Sequence, residues 1–116
     1  LEIRPRDAFY TYDSKYADGG SEHLVPAPIP AVIAREIQTA ALVAHRALGC
    51  RGVSRSDFRY DDAVQPGAPA GRLYILETNT QPGMTPTSLV PEIAASAGIA
   101  FPALVAGLME GARCDG

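Results

Sequence analysis

The sequence predicts an α+β fold, an antiparallel sheet flanked by helices. Two observations carry this expectation. Two β-prone runs, 52–61 and 73–79, flank a Pro/Gly-rich connection, which suits antiparallel pairing. Three stretches with helical spacing or helix boundary signals lie around them, at 31–48, 88–97 and 101–111. The expected order is strand, loop, helix, strand, strand, helix, helix, which suits a layer of helices on an antiparallel sheet.

Taken in order, Leu1 to Arg6 (LEIRPR) reads as a strand. Asp7 to Pro30 reads as a long polar loop containing Lys15, Tyr16, Gly19 and Gly20, and it closes with alternating prolines at Pro26, Pro28 and Pro30. A loop of that length inside a domain is usually functional or disordered. In the run from Ala31 to Leu48, Ile33, Ile37, Ala40, Ala41, Ala44 and Leu48 recur at helical spacing. Pro30 suits the start of that helix and Gly49 its C-terminal stop. Gly52 to Asp61 (GVSRSDFRYD) is the next strand, and Asp62 to Gly71 (DAVQPGAPAG) connects it to the run that begins at Leu73. Ser88 to Ala97 reads as a helix with Pro91 tolerated in its first turn and Gly98 ending it. Phe101 to Gly111 is the last helix.

The composition is that of an ordinary domain, with 116 residues, 47% hydrophobic and 20% charged, enough for one modest core. The formal net charge of −3 gives no basic face of the kind nucleic acid binding normally needs. No apolar run reaches membrane-spanning length, and the opening residues Leu1-Glu2-Ile3-Arg4 do not follow the pattern of a secretory leader. The first residue is not methionine and the strand starts at once, so the chain reads as cut from something longer. Cys50 and Cys114 have no metal-binding spacing, and two reduced thiols is the simpler reading.

The stretch from Leu76 to Pro91 (LETNTQPGMTPTSLVP) concentrates the chemistry. Alternate residues of a strand share a face, so Leu73, Ile75, Glu77 and Asn79 should line up together. A carboxylate carried onto a buried face needs a partner, because a lone buried charge is costly; a metal ion is one such partner. In the earlier strand Val53, Arg55, Asp57 and Arg59 share one face. If the two strands pair antiparallel, Asp57 meets Glu77 and Asn79, with Arg55 beside them. Such an oxygen-only set suits magnesium, and an adjacent arginine suits developing negative charge. The plainer reading is a solvated strand end with a surface Arg55–Asp57 pair. Gly83 lies in a Pro-Gly turn, and Thr87 or Ser88 could simply cap the helix that follows. His23 and His45 have no ligand spacing and are assigned no role. Met84 is read as an apolar filler.

The Lys15-Tyr16 pair, the GCRGVSRSDF run from Gly49 to Phe58, and LETNTQPGMTPTSLVP together resemble the C-terminal part of the D-alanine–D-alanine ligase family, ATP-grasp enzymes of bacterial cell wall synthesis. The resemblance covers essentially the whole chain. Its R-x-D…E-x-N core specifies only the superfamily, while P-G-M-T-x-x-S-L is much narrower. By this resemblance residues 1–116 form a C-terminal ATP-grasp segment of a longer ligase, with its N-terminal and central domains outside the chain, so the chain alone is not expected to ligate D-alanine.

The resemblance implies site roles position by position. Asp57, Glu77 and Asn79 would hold two magnesium ions, with manganese as an alternative, against the phosphates of ATP, and Glu77 would bridge the two. Arg55 and the Gly83 N–H would stabilise the oxyanion. Ser88 and the Leu89 N–H would grip the carboxylate of the second D-alanine. Lys15 would reach the terminal phosphate. Tyr16 would help close a lid that excludes water and would favour an amine over a hydroxy-acid acceptor. ATP and D-alanine are the implied partners, the cytoplasm the implied compartment, and a homodimer the family's frequent form. Two alternatives stay open: an ATP-grasp carboxylate–amine ligase with another acceptor, and a non-catalytic interaction domain.

Overall fold

The computed structural model describes residues 1–5, 21–63 and 71–114. In chain order the elements are β1 (Glu2–Pro5), β2 (Ser21–Leu24), α1 (Ala31–Ala47), β3 (Arg55–Asp61), β4 (Arg72–Asn79), α2 (Leu89–Ser96) and α3 (Phe101–Gly111). The fold class is α+β as expected, built among the described residues from two separate two-stranded antiparallel sheets, β1–β2 and β3–β4, with three helices. Strand β2 corrects the expectation of an uninterrupted loop from Asp7 to Pro30. Ser21 to Leu24 pairs back on β1, with Glu2 opposite Leu24 and Pro5 opposite Ser21. A polar run such as Ser-Glu-His-Leu shows little intrinsic strand signal, and the cross-strand partner supplies it.

Helix α1 follows the apolar stripe. Ile33 is buried, Ile37, Ala40, Ala41 and Ala44 are half-buried, and the intervening positions are mostly exposed. It ends by a Schellman motif. Gly49 adopts φ 64°, its N–H bonds the Arg46 carbonyl, and the Cys50 N–H bonds the His45 carbonyl, both at 3.0 Å. The end of α2 repeats the device at Gly98, with N–H bonds from Gly98 to Ala95 and from Ile99 to Ala94. Both glycine stops expected from the sequence are therefore made.

The hairpin β3–β4 contains one irregularity. Arg55 faces Asn79, Ser56 faces Thr78 and Asp57 faces Glu77, but Phe58 faces Ile75. Leu76 is an extra residue on β4, a β-bulge. It breaks the alternation assumed across the strand. Glu77 and Asn79 share a face with Asp57 and Arg55, whereas Ile75 and Leu73 pair with Phe58 and Tyr60 on the other face. The expected alignment of Leu73 and Ile75 with Glu77 and Asn79 is thus corrected.

The hydrophobic core is thinner than composition suggests. Among the described residues Ile33 and Val90 are the buried hydrophobic side chains apart from the two buried prolines Pro82 and Pro91. Leu42, Val43, Leu48, Leu76 and Met109 are exposed. The β3–β4 strands pack mainly against α1, while α2 and α3 pack mainly on each other, so no single layer gathers the apolar side chains. Among the described residues no single helix is long and apolar enough to cross a membrane, and α2 and α3 meet at a bend of 109°.

Candidate functional site

Four of the residues picked from the sequence converge at one end of the β3–β4 hairpin. Antiparallel register places Asp57 directly opposite Glu77, and Arg55 directly opposite Asn79, on one face. The Arg55 guanidinium grips Asp57 through two bonds, Nε to Oδ1 at 2.8 Å and Nη2 to Oδ2 at 3.1 Å. Its Nη2 also lies 3.8 Å from Glu77 Oε1. A single cation thus sits between two carboxylates, in the fork geometry that arginine supplies and lysine cannot. Asn79 Oδ1 accepts the Gln81 N–H at 2.9 Å, a local turn that carries the chain away from the strand.

The Glu77 side chain is 63% exposed. That corrects the expectation of a carboxylate on a buried face: β4 lies open around it, with Ile75 and Leu76 exposed as well. No desolvation penalty compels a partner at Glu77, and its carboxylate is open to an incoming ligand. Two carboxylates and an amide carbonyl on one face form an oxygen-only donor set that suits a hard cation retaining waters. Among the described residues no group of three or more His, Cys, Asp or Glu is arranged to hold a metal; the third oxygen here is that of Asn79.

The turn after β4 forms a second cluster. Ser88 occupies the N-cap position of α2, yet its hydroxyl makes no bond to that helix. It accepts the Thr85 N–H at 3.0 Å and lies 2.7 Å from Thr85 Oγ1. The simple side-chain cap favoured by sequence is therefore not made. The hydroxyl is instead held from behind, leaving the first N–H groups of α2 for another acceptor. Gly83 does not adopt a left-handed backbone; its reason is space. A Cβ there would come within 3.0 Å of Ser88 Oγ. Gly83 and Met84 line an open cleft with Cys50, Arg51 and Gly107. Both cysteines are free thiols, Cys50 half-buried and Cys114 exposed.

Three contacts were not read from the sequence. Thr85 holds Ser88, a turn contact for which the three-residue spacing is the sole hint. Ser54 Oγ bonds His45 Nδ1 at 2.8 Å, tying the end of α1 to the entry of β3. His23 Nδ1 donates to Glu92 Oε2 at 2.7 Å across 69 residues, joining β2 to the first turn of α2. No local pattern announces such a pair. Lys15 and Tyr16 lie outside the described residues.

Comparison with known proteins places this chain in a family. The family model described as "D-ala D-ala ligase C-terminus" matches residues 1–110. The chain is 62% identical over 115 residues to the D-alanine–D-alanine ligase of Paramagnetospirillum magneticum, covering 99% of this chain and 37% of that protein. It is 57% identical over 114 residues to that of Parvibaculum lavamentivorans, covering 98% and 36%. Among solved structures, the D-alanine–D-alanine ligase of Bacillus anthracis superposes with a TM-score of 0.67 at 33% identity, over 94% of this chain and 33% of that one. A structure of the Bacillus anthracis ligase complexed with ATP superposes with a TM-score of 0.62 at 32% identity, over 73% and 27%. The chain thus spans about a third of the length of the curated relatives it matches. With a family model over almost all of its length, and the same fold in a solved relative, the chain belongs to the D-alanine–D-alanine ligase family, of whose members it corresponds to the C-terminal region.

Proposed function

We propose that this chain supplies the phosphate-handling and acceptor-binding part of a cytoplasmic D-alanine–D-alanine ligase that works in peptidoglycan synthesis. The observation that carries the reading is the placement of Asp57 opposite Glu77 and of Arg55 opposite Asn79 on one face of the β3–β4 hairpin. In this reading ATP transfers its terminal phosphoryl group to the carboxylate of one D-alanine. The amine of a second D-alanine attacks the resulting acyl-phosphate, inorganic phosphate leaves, and the dipeptide remains.

Each residue has a physical task. Asp57, Glu77 and Asn79 would hold magnesium, with manganese as an alternative. When bound, the ion neutralises phosphate charge during transfer. Arg55, already oriented by its two bonds to Asp57, offers positive charge to the oxyanion that develops at the attacked carbon. The Gly83 N–H would add a neutral donor there. Ser88 and the Leu89 N–H would receive the acceptor's carboxylate at the start of α2, where the helix dipole favours an anion. Lys15 and Tyr16 would belong to the closing lid. A homodimer is the assembly proposed for the full-length enzyme.

The direct test is ADP release by the full-length protein that carries this segment, with D-alanine as substrate and L-alanine as control. D-alanine-dependent release is expected, and it should stop on chelation of divalent cations. A folded, nucleotide-binding protein that releases no ADP with D-alanine, but does so with another amino acid, would transfer the reading to a different ATP-grasp acceptor.

A further inference from the structure

The bulge at Leu76 has a consequence for the site residues beyond it. On that side three opposed pairs remain: Asp57 with Glu77, Ser56 with Thr78, and Arg55 with Asn79. On the other side the pairing runs from Phe58–Ile75 to Asp61–Arg72, in a register offset by one residue. Carried straight on without the bulge, that second register would put Leu76 opposite Asp57, Glu77 opposite Ser56 and Thr78 opposite Arg55. Directly opposed residues share a face, so Glu77 and Asn79 would then point away from Asp57. The oxygen donor set exists in the bulged register and is lost in the slipped one.

Two features expose the bulged register to slippage. Opposed carboxylates, here Asp57 and Glu77, disfavour pairing; Arg55 offsets part of this through its bonds to Asp57 and a longer 3.8 Å approach to Glu77. Leu76 is 60% exposed, so packing of the extra residue does not fix the bulge in place. A short contact crosses the strands on the opposite face, midway between the two site pairs. Ser56 Oγ and Thr78 Oγ1 are hydrogen-bonded at 2.9 Å and half-buried. In the slipped register Ser56 would face Glu77, and this bond would be lost.

We infer that Ser56 and Thr78 are a positioning pair: their hydroxyl bond locks the register beyond the bulge and so keeps Glu77 and Asn79 on the face of Asp57. The lock matters most before a cation draws the two carboxylates together. Its part in ion binding deepens the ligase reading and rests on it; the lock on the register rests on the geometry alone. A cross-strand hydroxyl pair shifts a pairing equilibrium by up to about fivefold. An ion that binds one register loses apparent affinity as the fraction in that register falls.

The test uses variants of the full-length protein carrying this segment: Ser56→Ala, Thr78→Val, which keeps the branched shape, the two combined, and Thr78→Ser, which keeps the hydroxyl. In NMR of the metal-free protein, Thr78→Val should show cross-strand contacts from Ser56 to Glu77 beside the native contacts to position 78. Magnesium with ATP should suppress the new contacts, and Thr78→Ser should show the native set alone. Mn2+ binding in the presence of ATP, followed by electron paramagnetic resonance, should weaken roughly two- to fivefold in Ser56→Ala and in Thr78→Val. The double variant should bind no more weakly than either single one, as one shared bond requires, and Thr78→Ser should bind like the unaltered protein. Native contacts alone in Thr78→Val, or losses that add in the double variant, overturn the inference. If the unaltered protein binds no Mn2+ with ATP while Thr78→Val still slips, the ion-site reading fails and the register lock stands.

Discussion

The site residues differ in how they depend on their surroundings. Arg55, Asp57, Glu77 and Asn79 were legible in the sequence because strand alternation and one antiparallel pairing suffice to bring them together. The exposure of Glu77 was not legible, since it depends on whether another element covers that part of β4, and among the described residues none does. Replacing Glu77 with alanine should abolish turnover in the full-length enzyme while leaving its fold intact, because a side chain this exposed supports little packing; near-normal ADP release in that variant would falsify its proposed part in holding the ion. Gly83→Ala makes a different claim. The added methyl would press within 3.0 Å of Ser88 Oγ, moving the hydroxyl off its bond to Thr85. The expected outcome is a raised KM for the acceptor and a lowered kcat, with far-ultraviolet circular dichroism unchanged. Thr85 and Glu92 escaped the sequence reading for separate reasons. The first acts through a turn conformation that many residues could adopt, the second through a partner 69 positions away.

At the scale of elements, helix positions and ends were the most readable features. Pro30, Gly49 and Gly98 each stand at a boundary that the structure keeps. The physical reason is local: φ near 64° at Gly49 is available to glycine at little cost and to other residues at about 1 kcal/mol or more. Gly49→Ala should therefore lower stability by about 1 kcal/mol, read as a lower urea midpoint. An unchanged midpoint would mean that the α1 stop is not set by this conformation. Strand β2 was unreadable for the opposite reason, since its residues owe their extended form to pairing with β1 and carry little preference of their own. The bulge belongs to the same class. One unpaired residue inside β4 changes which side the next carboxylate faces, and a period-two pattern cannot reveal it.

For the whole molecule, the composition promised a core that the fold does not concentrate. The Cα radius of gyration is 15.9 Å, with extents of 53 × 34 × 26 Å, against about 13 Å for a compact domain of similar length. With Ile33 and Val90 the chief buried hydrophobics among the described residues, the 116-residue chain by itself should unfold broadly, with a low urea midpoint; a sharp, high-midpoint transition would contradict this. The same chain, spanning about a third of its relatives' length, should form no D-alanyl-D-alanine from D-alanine, ATP and magnesium, and chromatographic detection of the dipeptide would overturn that expectation. Sheet order has one more implication. Among the described residues each sheet has two strands, so each offers unpaired backbone along its outer sides, next to exposed side chains such as Tyr74, Ile75 and Leu76. Open edges of that kind recruit further strands from any chain within reach. The colloidal behaviour of this segment is thus written into its hairpins. The segment should therefore stay apart in dilute solution and add copies edge to edge as concentration rises, so light scattering should climb with concentration, and scattering that stays flat would contradict this.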